Sequence, residues 1–173
     1  MKDLKKLESQ ILTVKDYPKP GVMFKDITPL FLEPEMINEI IDDFAEFANQ
    51  LDVDVILGAE SRGFLFGVPL SLKLNKPFVL VRKPNKLPRE VYAQSYDLEY
   101  GSSTVEMHKD ALKPGQKALI IDDLLATGGT VEAIEKLVKQ AGGVVAGSAF
   151  LIELVDLHGK DRLAGKVHSI LKY

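Results

Sequence analysis

Asp122 and Asp123 stand side by side at the end of an apolar run, Ala118, Leu119, Ile120 and Ile121. Shortly after them, Thr127, Gly128, Gly129 and Thr130 lead into a stretch of helical character. Strand, acids, glycine-rich turn, helix is an order suited to a sugar phosphate. A helix N-terminus exposes unpaired N–H groups and the positive end of its dipole, so it attracts phosphate. Gly128 and Gly129 let the backbone approach the anion, and Thr127 and Thr130 add hydroxyl donors. Carboxylates beside a phosphate repel it, so Asp122 and Asp123 suit ribose hydroxyls or Mg²⁺ instead. Side chains alternate along a strand, which predicts that the two acids point apart and do not act as one dyad. The plainer alternative is a strand–turn–helix joint whose threonines and glycines only cap the helix. No Walker lysine follows the glycines and no G-x-G-x-x-G is present, so neither the P-loop nor the dinucleotide fingerprint fits.

The elements that must position these residues follow from the apolar pattern. Residues 2–12 read as a short amphipathic helix, and 16–34, rich in Pro and Gly, as irregular. Met36, Ile37, Ile40, Ile41, Phe44, Phe47, Ala48 and Leu51 keep a helical period. Strands are expected at 53–58, 77–81, 118–122, 144–152 and 167–171, with helices at 63–74 and 130–141. Pro69 should kink the first of these helices or loosen a turn, and Gly142 and Gly143 should close the second. Strands alternating with helices imply a parallel sheet, which binds ligands at the carboxyl ends of its strands. Glu60, Ser61 and Arg62, Arg82 and Lys83, and Asp122 and Asp123 all lie just after or at the end of expected strands. They therefore converge on one rim.

Residues 84–109 break the alternation. Pieces at 90–96 and 103–108 flank Glu99, Tyr100 and Gly101 and read as a hairpin on a long excursion. A long loop in a compact domain is usually functional or disordered, and this one carries Lys86 and Arg89 and can close over a ligand. Tyr96 and Tyr100 either close the site or pack the hairpin.

With 173 residues, 46% hydrophobic and 27% charged, the chain fits one globular domain. A net charge of −3 argues against nonspecific binding to nucleic acid or a membrane surface. The absence of cysteine excludes disulfides and zinc–thiolate sites and fits a cytoplasmic location. The charged N-terminus is no signal peptide, and no apolar run reaches membrane-spanning length. His108, His158 and His168 lack metal-ligand spacing and read as structural or exposed.

Five motifs in order resemble the adenine phosphoribosyltransferases, type I phosphoribosyltransferases that use phosphoribosyl diphosphate (PRPP). Asp122-Asp123-Leu124-Leu125-Ala126-Thr127-Gly128-Gly129-Thr130 resembles the PRPP motif. Pro20-Gly21-Val22-Met23-Phe24-Lys25-Asp26-Ile27 resembles the purine-binding segment, and Glu60-Ser61-Arg62-Gly63-Phe64 the pyrophosphate loop. Arg82-Lys83-Pro84-Asn85-Lys86-Leu87-Pro88 and Tyr96-Asp97-Leu98-Glu99-Tyr100-Gly101 resemble the mobile loop and hairpin. Arg89 departs from the usual pattern, where Gly is frequent, and adds charge on the pyrophosphate side.

The resemblance implies an α/β, type I phosphoribosyltransferase fold: a central parallel sheet flanked by helices, a small N-terminal hood and a mobile β-hairpin loop. One domain would cover 1–173, with the hood in 1–34 and the flexible loop in 84–109. The implied reaction is adenine plus PRPP to AMP plus pyrophosphate. Ala126, Thr127, Gly128, Gly129 and Thr130 would hold the 5′-phosphate, and Asp122 and Asp123 the ribose hydroxyls. Glu60, Ser61, Arg62, Arg82, Lys83 and Lys86 would meet pyrophosphate, with Mg²⁺ held mainly through PRPP. Val22, Met23, Phe24 and Lys25 would hold adenine, by backbone groups at Met23 and Lys25 and by stacking on Phe24. Glu99 would handle the purine proton. A cis peptide is implied between Glu60 and Ser61, as is a homodimer in which Arg82 reaches the neighbouring site. Alternatives are an enzyme acting on an oxopurine such as xanthine or hypoxanthine, and a PRPP-sensing regulator. The short stretch before the purine segment and the acidic balance disfavour a DNA-binding module.

Overall fold

The computed structural model describes residues 3–97 and 101–173. Two compact units divide the chain, Met1–Asp43 and Phe44–Tyr173. In the first, helix α1 (Leu4–Ser9) is capped by Asp3, whose carboxylate accepts the Lys6 N–H at 3.0 Å. Strands β1 (Leu12–Lys15) and β2 (Met23–Asp26) then pair antiparallel, Leu12 opposite Asp26 and Lys15 opposite Met23. Part of the stretch expected to be irregular is thus a small two-stranded sheet. All four residues of β1 are exposed, so no apolar alternation marks it. The turn between them uses Asp16 at φ 58°, and the Asp16 carboxylate accepts the Gly21 N–H at 2.7 Å. Helix α2 (Pro34–Asn49) follows a short 3₁₀ turn and carries the expected helical period.

The second unit is built on a parallel sheet. Its strands are β3 (Val55–Ala59), β4 (Phe78–Val81), β7 (Lys117–Leu125), β8 (Val144–Glu153) and β9 (Lys166–Lys172), in the order β4-β3-β7-β8-β9. All four neighbouring pairs are parallel. Helix α3 (Gly63–Leu74) follows β3 and runs on through Pro69, and α4 (Gly129–Gln140) follows β7. Residues such as Val55, Leu57, Ala118, Ile120, Ile134 and Phe150 form the core, all nearly inaccessible. The strand members among them lie in runs of uninterrupted apolar residues, as expected for strands buried on both faces, while Ile134 faces them from α4.

The order of strands creates the binding geometry. From β3 the chain moves to β4 on one side, and later returns to β7 on the other. The sheet therefore has its topological switch point between β3 and β7, where α/β sheets hold ligands. Gly58 pairs with Ile121, which sets the Glu60–Arg62 turn level with Asp122 and Asp123. Strand β7 continues past the acids to Leu125, because Leu124 and Leu125 still pair with Ile152 and Glu153 of β8.

Two glycines set the height of α3 over the sheet. A Cβ on Gly58 would stand 2.5 Å from the Phe78 ring, and one on Gly67 would stand 2.4 Å from it. The ring is seated between strand and helix, where any larger residue would collide with it.

The expected hairpin is present as β5 (Val91–Asp97) and β6 (Ser102–His108), paired antiparallel from Val91–His108 to Asp97–Ser102. Its stem is anchored. Val105 and Met107 are buried in the core, and Gln140 Nε2 on α4 donates to Gln94 Oε1 at 3.0 Å. Arg82 and Glu106 exchange backbone hydrogen bonds at 2.9 and 2.7 Å, tying β6 to the end of β4.

Candidate active site

Between β7 and α4 the backbone turns through Ala126, Thr127 and Gly128. Gly128 caps the helix at φ 81°, a left-handed conformation that favours glycine. Gly129 begins α4 with Tyr96 directly over it, 3.3 Å from where a Cβ would be. A cleft of about 310 Å³ opens here, lined by Asp122 and by residues 124–131. All five residues expected to hold a phosphate line it. The site combines the free N–H groups of a helix start with the Thr127 and Thr130 hydroxyls, which is anion-binding chemistry.

Asp122, Leu124 and Thr130 are shared with a larger cleft of about 850 Å³. This one is lined by Glu60, Ser61, Arg62, Lys83, Tyr96, Ser103, Val105 and Asp123 among others. Both acids reach it, although alternation was expected to send them apart. Asp122 Oδ1 accepts the Asp123 backbone N–H at 2.9 Å, which curls the first carboxyl toward the second residue. Asp123 is almost fully buried, and its Oδ2 lies 3.1 Å from Arg62 Nε as an ion pair. That oxygen makes no well-formed hydrogen bond, so the contact is chiefly electrostatic.

The two carboxyls are strongly perturbed. Asp122 keeps some exposed surface, yet the protein packed around it raises its pKa well above the usual range, helped by the charge of Asp123. Burial also raises Asp123, and Arg62 pulls it only partly back. Gly63 makes this crowding possible. A Cβ there would lie 2.5 Å from the Ile121 carbonyl oxygen and 3.2 Å from Asp122 Oδ1. The start of α3 can thus abut β7, and Arg62, the residue before it, comes within reach of Asp123.

The peptide between Glu60 and Ser61 is cis, as the resemblance implied. The Glu60 carboxylate gathers cations instead of facing the cleft alone. It accepts from Arg82 Nε and Nη2 at 3.3 and 3.2 Å and from the Lys83 N–H at 2.9 Å, and it lies 3.4 Å from Lys86 Nζ. Burial pushes its pKa up, but these donors outweigh burial and hold it below the usual carboxylate range. Arg62 and Lys83 line the larger cleft, whereas Arg82 and Lys86 join it through Glu60.

The hairpin supplies part of the cleft wall, and two of its wall residues, Ser103 and Val105, belong to no motif. Tyr96 Oη accepts the Thr130 hydroxyl at 3.1 Å, linking the hairpin to the glycine-rich loop. Ser103 and Val105 of β6 complete that wall. Only the alternation along β6 could have marked them. Arg89 pairs with Asp110 and sits 3.1 Å from His108 Nδ1, so its charge is engaged there, away from the residues lining the cleft. Glu99 lies outside the described residues. In the N-terminal unit, Met23, Phe24 and Lys25 are on β2, with Val22 just before it. Phe24 meets Tyr17 edge-on at 5.0 Å, and Lys25 Nζ lies 3.1 Å from Thr13 Oγ1.

Residues 33–169 match the family described as phosphoribosyl transferase domain. An adenine phosphoribosyltransferase of Ureaplasma parvum serovar 3 is 66% identical over 167 residues, covering 96% of each chain. The crystal structure of adenine phosphoribosyltransferase from Thermoanaerobacter pseudethanolicus superposes with a TM-score of 0.96 at 44% identity, over 99% of this chain and 100% of that one. The Saccharomyces cerevisiae adenine phosphoribosyltransferase, solved with adenine and an imino-altritol bisphosphate, gives 0.91 at 36% identity, over 96% and 97% of the two chains.

Proposed function

The chain belongs to the adenine phosphoribosyltransferases of the phosphoribosyl transferase family, and from that premise we propose how its own residues carry out the transfer. Adenine and PRPP are converted to AMP and pyrophosphate, returning a free base to the nucleotide pool. The observation that carries the assignment of roles is the switch-point rim. It places a glycine-rich helix start, two aspartates and a set of cations along two clefts that share Asp122 and Thr130.

Ala126, Thr127, Gly128, Gly129 and Thr130 hold the 5′-phosphate by backbone N–H groups and hydroxyls. Asp122 and Asp123 accept from the ribose 2′- and 3′-hydroxyls. Their charge also offsets the positive charge that develops on the ribose as the C1′–O bond to pyrophosphate breaks. Arg62 and Lys83 meet the leaving pyrophosphate, and Glu60 brings Lys86 alongside and holds Arg82 until it is released. As adenine N9 bonds to C1′, a purine proton must leave, and Glu99 takes it. Phe24 stacks on the base, and backbone groups of Met23 and Lys25 read its amino edge. No covalent intermediate with the protein is needed, so rate enhancement rests on positioning and electrostatics.

Mg²⁺ fits this chemistry. Asp122 and Asp123 are hard oxygen donors at the rim, and PRPP brings phosphate and hydroxyl oxygens of the same kind. When bound, the ion neutralises charge on the leaving group. A homodimer is supported by Leu65, Val68 and Leu72, which form one exposed apolar face of α3, with Leu80 exposed on the edge strand β4. Within that dimer Arg82 extends to the neighbouring site, in exchange for its hold on Glu60. No helix among the described residues is long and apolar enough to cross a membrane, and the cysteine-free chain suits the cytoplasm.

Steady-state rates with adenine, hypoxanthine, guanine and xanthine, each with PRPP and Mg²⁺, test this reading. Adenine is expected to dominate kcat/KM. An oxopurine preferred by about tenfold or more would overturn it, since one lost or misplaced polar contact to the base accounts for such a ratio.

A further inference from the structure

We propose that Gly159 is a positioning residue for the glycine-rich loop, a backstop that fixes where the loop's N–H groups point. The proposal rests on the reading of that loop as the seat of the 5′-phosphate. Between β8 and β9 the chain makes two short 3₁₀ turns, Val155–Leu157 and Gly159–Arg162, joined by His158 at φ 51°. This left-handed step delivers Gly159, which is buried, against the back of residues 126–128.

The contact is backbone against backbone. A Cβ on Gly159 would stand 2.1 Å from the Ala126 carbonyl oxygen and 2.9 Å from the Gly128 nitrogen. Reciprocally, a Cβ on Gly128 would stand 2.5 Å from the Gly159 carbonyl oxygen. Neither neighbour is the flexible end of a side chain, so an added methyl group must displace the loop itself. The two glycines are thus a mutual requirement, one inside the PRPP motif and one outside it.

The backstop is held at both ends. Glu132 of α4 accepts from Arg162 Nη2 at 2.7 Å, and the Glu135 carboxylate accepts the Ala164 N–H at 3.0 and 3.1 Å. At the other end the Leu154 N–H donates to the Leu125 carbonyl at 2.9 Å. The segment is therefore fastened to β7 before the loop and to α4 after it. Such bracing keeps the loop's donors in place before an anion arrives, which lowers the ordering cost of binding.

The test is Gly159→Ala in the full chain, read by KM for PRPP and adenine and by inhibition constants for AMP and pyrophosphate. KM for PRPP and the AMP inhibition constant should rise roughly tenfold or more, as expected when phosphate ligands shift by a fraction of an ångström. Adenine and pyrophosphate, which do not use the loop, should change less than about twofold. Arg162→Ala loosens the brace without adding an atom and should give the same selective pattern at about two- to fivefold, with Arg162→Lys restoring part of it. If Gly159→Ala does not fold, the Arg162 pair decides the matter. Equal losses for AMP and pyrophosphate, or no change in either, would overturn the proposal. Thr127→Asp separates the two levels: a carboxylate set in the loop repels a phosphate seated there, so unchanged AMP affinity in that variant would refute the phosphate seat itself, whatever Gly159 does.

Discussion

Arg62 Nε lies 3.1 Å from Asp123 Oδ2, so the guanidinium assigned to pyrophosphate rests on the carboxylate assigned to ribose. The two ends of the reacting centre are coupled before any ligand binds. A pyrophosphate that draws Arg62 away leaves Asp123 buried with less compensation, and a ribose hydroxyl relieves that state by donating to it. Arg62→Ala removes this partner permanently. Breaking a partly buried pair costs several kcal/mol at most, and Arg62 is 40% exposed, so the loss of stability should be about 1–2 kcal/mol. Turnover should fall by about two orders of magnitude or more. Thermal unfolding and kcat/KM for PRPP measure the two effects.

Asp122 gives a prediction with opposite signs for stability and activity. Its carboxyl is raised by burial and by Asp123, so the folded protein holds this proton more tightly than the unfolded chain does. Its contribution to stability therefore falls as pH climbs from the unfolded carboxylate range, about 3.9, through the raised value, and then levels off. Asp122→Asn removes the desolvated charge and can keep the 2.9 Å bond from the Asp123 N–H. The variant should melt about 2–4 °C above the parent at pH 7.5, with the gap closing toward pH 4. Turnover should drop about a hundredfold. A variant less stable than the parent at pH 7.5 would contradict the account.

Glu60 tunes the affinity for a charged product. It gathers Arg82, Lys83 and Lys86 and partly neutralises them. Glu60→Gln raises the local positive charge, so pyrophosphate should inhibit several-fold more tightly at low salt. The gain should vanish near 0.5 M salt, where screening acts over about 4–5 Å. Slower product release would then lower kcat and KM for adenine together, leaving kcat/KM for adenine unchanged. Product-inhibition series at two ionic strengths decide it.

Glu99 is assigned to the proton alone. Glu99→Leu should lower kcat by about 10²–10³-fold, the usual range for a general base, and leave PRPP binding within about twofold. A loss of PRPP affinity on the same scale as kcat would assign the residue to binding instead. Calorimetric titration of PRPP beside kinetics separates the two.

The exposed α3 face sets the expected assembly. Leu72 is 77% exposed and shares one helical face with Leu65 and Val68. Leu72→Glu should convert a dimer to monomers in sedimentation velocity, and should lower activity if Arg82 completes the neighbouring site.

The elements that hold the site were legible because they are buried on both faces. The segments 118–122 and 144–152 read as strands from their apolar content, and the acids ending the first fall on one rim with the residues after 53–58 and 77–81. Strand β1 was not, because Leu12, Thr13, Val14 and Lys15 are all exposed and too few to show a period. Strand β7 runs past Asp122, where the acids suggest a strand end, because backbone pairing with Ile152 and Glu153 continues beyond them. The motif residues of the clefts could be named from sequence, but not their partners. That Arg62 would rest on Asp123, and Arg82 on Glu60, depends on the switch point, which brings together turns far apart in the chain. Gly159 carried no signal, because its role is a close approach to residues over thirty positions away.

Gly58, Gly67 and Phe78 together amount to a single packing unit spread over strand, helix and neighbouring strand. Because the ring fixes how far α3 stands off the sheet, it also fixes the Glu60–Arg62 turn strung between β3 and α3. Lineages that enlarge either glycine should shrink residue 78 in step. A drifting ring at this edge would be felt as a change in pyrophosphate release, at a position outside the lining of both clefts.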